Sequence, residues 1–316
     1  MKRILILGGG TGGTIVANLL AKRLKRGEAE LTLLSARDRH DFQPGWLYIP
    51  FERQEMRKLS RSMKRLLDRR VNFSVSEVEE LDTQSNRLQL AQGGTLHFDY
   101  LIIATGSHPV SEAGPNSSVW GHHFYTAEAA VALHAALTLF AEGRIAIGVA
   151  QLPYKCPPAP LEFAFLLEEF LSRTGRRDGT EITYFYPLDG VLPIADAHGW
   201  VKTDPATLQV REHPHIWALG DTTNLPVPKA GSAAHFQAPV VVERVLAALR
   251  RTAPDPKRAE YGGHVVSFME TGYGKAALFD FDYQCSPHPA EPSPINHYLK
   301  LAFNKAYWHL VPTGVI

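Results

Sequence analysis

An α/β fold built around a dinucleotide-binding domain is what the sequence predicts, and three observations carry it. The chain opens on an apolar run, Ile4 to Leu7, that feeds into Gly8-x-Gly10-x-x-Gly13, with a helical pattern over 14–24 behind it. Phe98-Asp-Tyr-Leu-Ile-Ile is a buried strand opening into the small-residue turn Ala104-Thr105-Gly106. His215-Ile-Trp-Ala-Leu is another, ending in Gly220-Asp221.

Strand, glycine turn and helix in immediate succession form the context that a dinucleotide fingerprint requires. Gly8 permits the tight turn, Gly10 lets backbone approach a pyrophosphate, and Gly13 lets helix and strand pack closely. Gly9, Thr11 and Gly12 complete the loop, and the free N–H groups and dipole of the first helical turn face the phosphates. The second strand, over 30–34, ends at Ser35-Ala36-Arg37, where an acid usually receives the ribose hydroxyls. Ser35 brings no charge, which weakens NAD(H) and leaves FAD open. Arg37 as a partner for a 2′-phosphate is the weaker alternative to an ordinary solvated arginine. The three turns together resemble those of the two-dinucleotide-binding-domain flavoproteins of the glutathione-reductase-like group. That resemblance implies FAD as cofactor, an Ala104-Thr105-Gly106 turn closing the first FAD segment, and Asp221 on the ribityl hydroxyls. Asp221 as a helix cap is compatible with that role. Val78, Lys229 and Ala230 join the candidate FAD contacts.

With 316 residues, 45% of them hydrophobic and 21% charged, the composition is that of an ordinary globular chain with room for two domains. A net charge of +1 argues against a nucleic-acid role. Basic clusters at 22–26 and 57–70 read as solvated helix faces, with attraction to an anionic membrane as the minority reading. No stretch is long and apolar enough to span a bilayer, and no signal peptide precedes the first strand, so the expected location is cytoplasmic. The scattered histidines lack a supporting ligand set, and no metal is expected. Two cysteines do not make a disulfide scaffold.

A second domain should begin at the buried strand over 144–149. No second glycine fingerprint follows it. The chain reads Gln151-Leu-Pro153-Tyr-Lys155-Cys156-Pro157-Pro158-Ala-Pro160, then an apolar helix over 160–173. Four prolines and a Tyr-Lys pair do not make the nest that grips a pyrophosphate, so the usual NAD(P)H site is expected to be missing. Cys156 precedes a helix and sits beside Lys155, two influences that favour thiolate over thiol. A buried structural cysteine is the bland alternative.

Pro153-Tyr-Lys-Cys156-Pro-Pro-Ala-Pro160, Gly220-Asp-Thr-Thr-Asn224, Lys229-Ala-Gly231 and His235-Phe-Gln237-Ala-Pro239 together resemble sulfide:quinone oxidoreductase. Relatives of that family are the flavoprotein subunit of flavocytochrome c sulfide dehydrogenase and type II NADH dehydrogenase. The resemblance implies sulfide oxidation at a pair of redox cysteines and electron passage through FAD to a quinone. Cys156 matches the first cysteine of the pair. At the place of the second stands Ser267, in Tyr261-Gly-Gly-His-Val-Val-Ser267. Cys285 lies downstream, either a substitute partner or a loop residue. The strand over 181–186 runs almost directly into 199–204, so about half of the family's second domain is missing. Exposed apolar faces covered by a second copy or a partner subunit are the expected result.

The domain reading is 1–108 with 199–250 as the split FAD domain, 109–198 as the truncated second domain, and 251–316 as an interface region. In the helix over 231–251, Phe236 and Gln237, with Tyr273 further on, are the candidate quinone-side residues, against plain core packing. Ile295, Tyr298, Leu299, Ala302, Phe303, Ala306, Tyr307 and Leu310 recur at helical spacing and define one apolar face. Such a basic amphipathic helix lies in a membrane interface on the inner face of the cytoplasmic membrane, or docks on its own protein. The expected function is FAD-dependent oxidation of sulfide or a related sulfur compound, with a quinone as acceptor. A non-catalytic FAD-binding subunit is the first alternative, and NADH:quinone oxidoreduction is a disfavoured second.

Overall fold

The computed structural model describes residues 1–108, 121–149, 154–185 and 200–314. The first strand, β1 (Lys2–Leu7), buries its last four residues, because sheet neighbours and covering helices leave no wet face. It leads into α1 (Thr11–Arg23), β2 (Ala29–Ser35) and β3 (Arg39–Asp41). A 3-10 stretch over Gln43–Phe51 follows, then β4 (Ser60–Ser62), α2 (Met63–Leu66) and β5 (Asn72–Val75). Three short strands, β6 (Val78–Asp82), β7 (Arg87–Leu90) and β8 (Thr95–His97), form an antiparallel sheet that packs Leu88 and Leu96 under the main one. β9 (Tyr100–Ile103) returns to the centre.

The second unit holds α3 (Ala127–Leu139), β10 (Gly143–Gly148), α4 (Ala159–Arg173) and β11 (Thr180–Phe185). Its two strands pair in parallel, so the expected βαβ unit forms. Leu133, Leu137, Ile147, Phe163, Leu166 and Phe170 pack beneath it against Tyr48 and Phe51 of the 3-10 stretch. Phe185 and Leu139 are exposed. The chain closes with β12 (Ile216–Ala218), α5 (Gly231–Arg250), the hairpin β13 (Val265–Gly272) and β14 (Lys275–Phe281), and α6 (Pro294–Leu310).

The main sheet runs β12-β9-β1-β2-β5, all parallel, and α1 lies along α5 over one face. This order places the carboxyl ends of β1, β9 and β12 side by side, where ligands of open α/β sheets bind. Among the described residues no helix is long and apolar enough to cross a membrane.

α6 departs from the sequence reading. Tyr307, assigned to the apolar face, is buried, but so is Lys300, assigned to the polar one. Tyr307 packs on Phe42 at 4.4 Å between ring centroids, and its hydroxyl stands 2.8 Å from Nε2 of the buried His40. The remaining apolar positions face outward, with Ile295 at 70% and Tyr298 at 68% exposure beside Leu299, Phe303 and Leu310. The helix docks by its minority residues and shows its majority face.

Burial of His40 holds its imidazole down at about 4, well below the ordinary histidine value. The folded chain therefore binds fewer protons there than the unfolded chain, and stability falls as pH drops below about 6.5 toward 4, by at most about 3 kcal/mol from this group. Denaturant titrations across pH 7 to 4 should show that loss, and His40→Asn should flatten it.

Candidate functional site

Backbone geometry shapes the first turn. Gly8 adopts φ +107, and a Cβ placed on it would lie 2.2 Å from the Ala104 carbonyl oxygen. A Cβ on Gly13 would lie 1.9 Å from the Gly8 oxygen, so the start of α1 rests directly on the end of β1. Gly9 meets Ser35 and Met63, and Gly12 meets Leu219. Gly10 differs: nothing lies within 4 Å of its would-be Cβ, and as N-cap of α1 it offers no side-chain cap. The first N–H groups of the helix are thus left to an incoming anion.

The other two turns meet this one. Leu219 N–H donates to the Ile103 carbonyl at 3.1 Å, and Thr105 Oγ1 donates to Thr222 Oγ1 at 3.2 Å. Asp221, on the 3-10 turn Gly220–Thr222, accepts from Ser107 Oγ at 3.2 Å and pairs with Lys155 Nζ at 3.4 Å. Ser35 Oγ accepts the Arg37 N–H at 3.3 Å, and Ala36 beside it is exposed. Val78 is a half-buried packing residue of the lower cluster, at the start of β6.

Cys156 is placed by backbone. Its N–H donates to the Lys229 carbonyl at 2.9 Å, and Lys155 bridges Lys229 in parallel register. The Cys156 carbonyl accepts from Ala159 N–H at 2.9 Å, which starts α4. The residue sits at φ +53, a left-handed conformation that costs a non-glycine residue roughly 1 kcal/mol. The bridge fastens it beside Ala230 and the start of α5, whose N-terminus carries no side-chain cap. In its first two turns Ser232 Oγ and His235 Nδ1 are buried with no hydrogen-bond partner among the described residues. Lys229 Nζ donates to the Thr223 carbonyl and lies 4.6 Å from the Trp200 ring centroid. Burial brings its ammonium down to about 8.

Several expectations need correction. Lys155 does not activate the thiol, because its ammonium is turned to Gln43 Oε1, the Ser107 carbonyl and Asp221. Burial first, and then the negative charge of Glu162, push the Cys156 thiol up to about 12. Gln237 is fully buried, and its Oε1 accepts the Gly220 N–H at 2.6 Å, so it braces the Gly-Asp turn instead of meeting a substrate. Tyr273 is at the tip of the β13–β14 hairpin, with its hydroxyl donating to Glu168 at 2.7 Å and its N–H to Glu169 at 2.6 Å. Phe236 is half-buried against the His264 ring at 4.2 Å. Cys285 is exposed in a turn capped by Asp282, and both cysteines are free. Ser267 lies half-buried on β13, opposite Phe279.

The sequence reading missed a buried charged cluster next to Cys156. Glu162, 3% exposed, pairs with Lys300 of α6 and accepts from Tyr48 Oη at 2.9 Å. Lys300 also donates to the Phe268 carbonyl at 3.1 Å, and Glu270 holds His297 at 2.9 Å. Burial raises the Glu162 carboxyl above its ordinary value, while Lys300 opposes the rise. A carboxylate in the first turn of the helix after Cys156 was the available signal.

Residues 2–147 match the family model described as pyridine nucleotide-disulphide oxidoreductase. The solved structures that the chain resembles share its Rossmann-like α/β fold. Among particular proteins, it is similar to mitochondrial sulfide:quinone oxidoreductase of Mus musculus, 23% identical over 98% of this chain and 86% of the relative. The solved sulfide:quinone oxidoreductase of Aquifex aeolicus superposes with a TM-score of 0.83 at 19% identity, covering 99% of this chain and 92% of that one. NDH2 from Plasmodium falciparum, in complex with NADH, gives 0.68 at 11% identity over 99% and 97%.

Two measurements check the site. Gly13→Ala should cost about 3 kcal/mol or more in denaturant unfolding, whereas Gly10→Ala should cost less than about 1 kcal/mol and act on nucleotide binding alone. In flavin-free protein, iodoacetamide should modify exposed Cys285 at least about a hundredfold faster than Cys156 at pH 8, and the Cys156 rate should keep climbing through pH 11.

Proposed function

We propose that this chain oxidises sulfide, or a related small sulfur compound, at Cys156 and passes the electrons through FAD to a quinone. The observation that carries the reading is the fixed position of Cys156: the Lys155–Lys229 bridge fastens a left-handed cysteine where the Gly-Asp turn, the open N-terminus of α5 and Asp221 converge. The similarity to sulfide:quinone oxidoreductases supports the choice of substrates.

The residues present fit FAD. Gly8, Gly10, Thr11 and Gly13 would hold the pyrophosphate, with Ser35 and Ala36 along the adenosine side. Ala104, Thr105, Gly106, Gly220 and Asp221 would hold the ribityl chain, and Lys229, Ala230 and the first turn of α5 the ring end. Bound there, FAD supplies a two-electron acceptor. Ser232 and His235 give a ring ligand the polar partners their buried atoms lack.

In the proposed chemistry Cys156 sulfur forms an S–S bond with the sulfur of hydrosulfide, giving a cysteine persulfide. That bond releases two electrons, for which bound FAD would be the acceptor, and the protons would pass to nearby bases. Glu162, buried beside Cys156, is placed to receive the thiol proton. Lys300 keeps that carboxylate tolerable in its apolar surroundings, since an unpaired buried charge costs several kcal/mol. One matched cysteine, with Ser267 at the other place, favours a persulfide on Cys156 over a bridge between two cysteines. The outward apolar face of α6 supports peripheral contact with a membrane, where a lipid-soluble quinone resides, on its cytoplasmic side. The open faces around Phe185 and Leu139 support a second copy or a partner subunit.

Anaerobic sulfide should bleach the flavin band of the FAD-loaded protein, and added quinone should restore it. Cys156→Ser should slow bleaching at least about a hundredfold while retaining FAD. Unchanged sulfide bleaching in Cys156→Ser, or bleaching by NADH in place of sulfide, overturns the proposal, and a protein bleached by neither is the non-catalytic FAD-binding subunit.

A further inference from the structure

Behind the first glycine turn runs a hydrogen-bond chain that the proposed redox chemistry does not use. Nδ1 of His40 stands 3.1 Å from the Gly9 carbonyl oxygen and 3.1 Å from Thr14 Oγ1. Its Nε2 stands 2.8 Å from Tyr307 Oη, and that oxygen stands 3.0 Å from Thr11 Oγ1. Thr14 Oγ1 itself donates to the Gly9 carbonyl at 3.1 Å. A carbonyl only accepts, so Nδ1 of the neutral ring carries the proton and Nε2 accepts from the Tyr307 hydroxyl. The Tyr307 oxygen is then left to accept from Thr11. Every bond in the chain has one direction.

The turn feels this in two ways. In a trans peptide the carbonyl and the next N–H point to opposite sides. His40 and Thr14 hold the Gly9 carbonyl on their side, which aims the Gly10 N–H the other way, toward the open face. Thr11 is drawn to Tyr307, and the space beside Gly10 stays clear. The same end of the chain is fastened along α1: Asn18 Nδ2 donates to the Pro312 carbonyl at 2.5 Å and Lys22 Nζ to the Thr313 carbonyl at 2.6 Å.

We propose that Tyr307 and His40 are positioning residues of the FAD site, so that docking of the end of α6 and retention of FAD are one linked equilibrium. The proposal rests on the FAD reading above. Linkage is reciprocal: if the docked helix tightens flavin binding, bound flavin tightens helix docking by the same factor.

The test uses FAD-loaded protein. Tyr307→Phe keeps the ring on Phe42 and removes only the hydroxyl. It should release FAD about tenfold more readily, read as free-flavin fluorescence after dilution. In the wild type, FAD should slow tryptic cleavage at Lys305 by a similar factor, and in Tyr307→Phe that protection should largely vanish. Circular dichroism of the flavin-free proteins separates this from misfolding. Should Tyr307→Phe not fold, His40→Asn cuts the chain at its centre and should show the same two changes. Wild-type release and protection in a folded variant overturn the linkage and leave the FAD reading standing. A wild-type chain that takes up no FAD overturns both.

Discussion

Main chain touches main chain at the head of the parallel sheet, and the candidate pocket exists because of it. Without side chains at Gly8 and Gly13, β1 approaches Ala104 and α1 approaches β1 more closely than any Cβ allows. That closeness puts the ends of β1, β9 and β12 in one row. The Thr105–Thr222 and Leu219–Ile103 hydrogen bonds then close the row from the second and third turns. Asp221, Lys155 and Cys156 reach the same place only because this frame is narrow.

Around the frame, polarity is handled unevenly. The glycine turn and the start of α5 leave polar groups uncapped, as a binding site must. The cluster of Glu162, Lys300 and Tyr48 is instead closed on itself, three elements apart in the chain and satisfied in the interior. Burial of a paired charge contributes little net stability, but loss of either partner strands the other. The pair therefore fixes α6 against α4 and β13 more firmly than its energy suggests.

Local patterns made the first turn, the three central strands and the βαβ unit legible, because each is a short segment whose period and glycines dictate its shape. The candidate flavin contacts on those segments came with them. What stayed hidden depends on side chains meeting across long separations. Gln237 looks like a helix residue facing a pocket, and only the fold shows the Gly220 N–H on its amide. Lys155 is adjacent to Cys156 in sequence, yet its four-carbon stem carries the charge to Asp221. Periodicity defined the apolar face of α6 but not its docked side, where Tyr307 finds His40 and Lys300 finds Glu162. Hydropathy alone does not see a buried lysine with a partner.

The Thr11–Tyr307 bond joins residues 296 positions apart. Neither partner has its hydrogen bond until the whole intervening chain has folded between them. A proteolytic cut ahead of the last helix would therefore leave the glycine turn intact in sequence and unbraced in space.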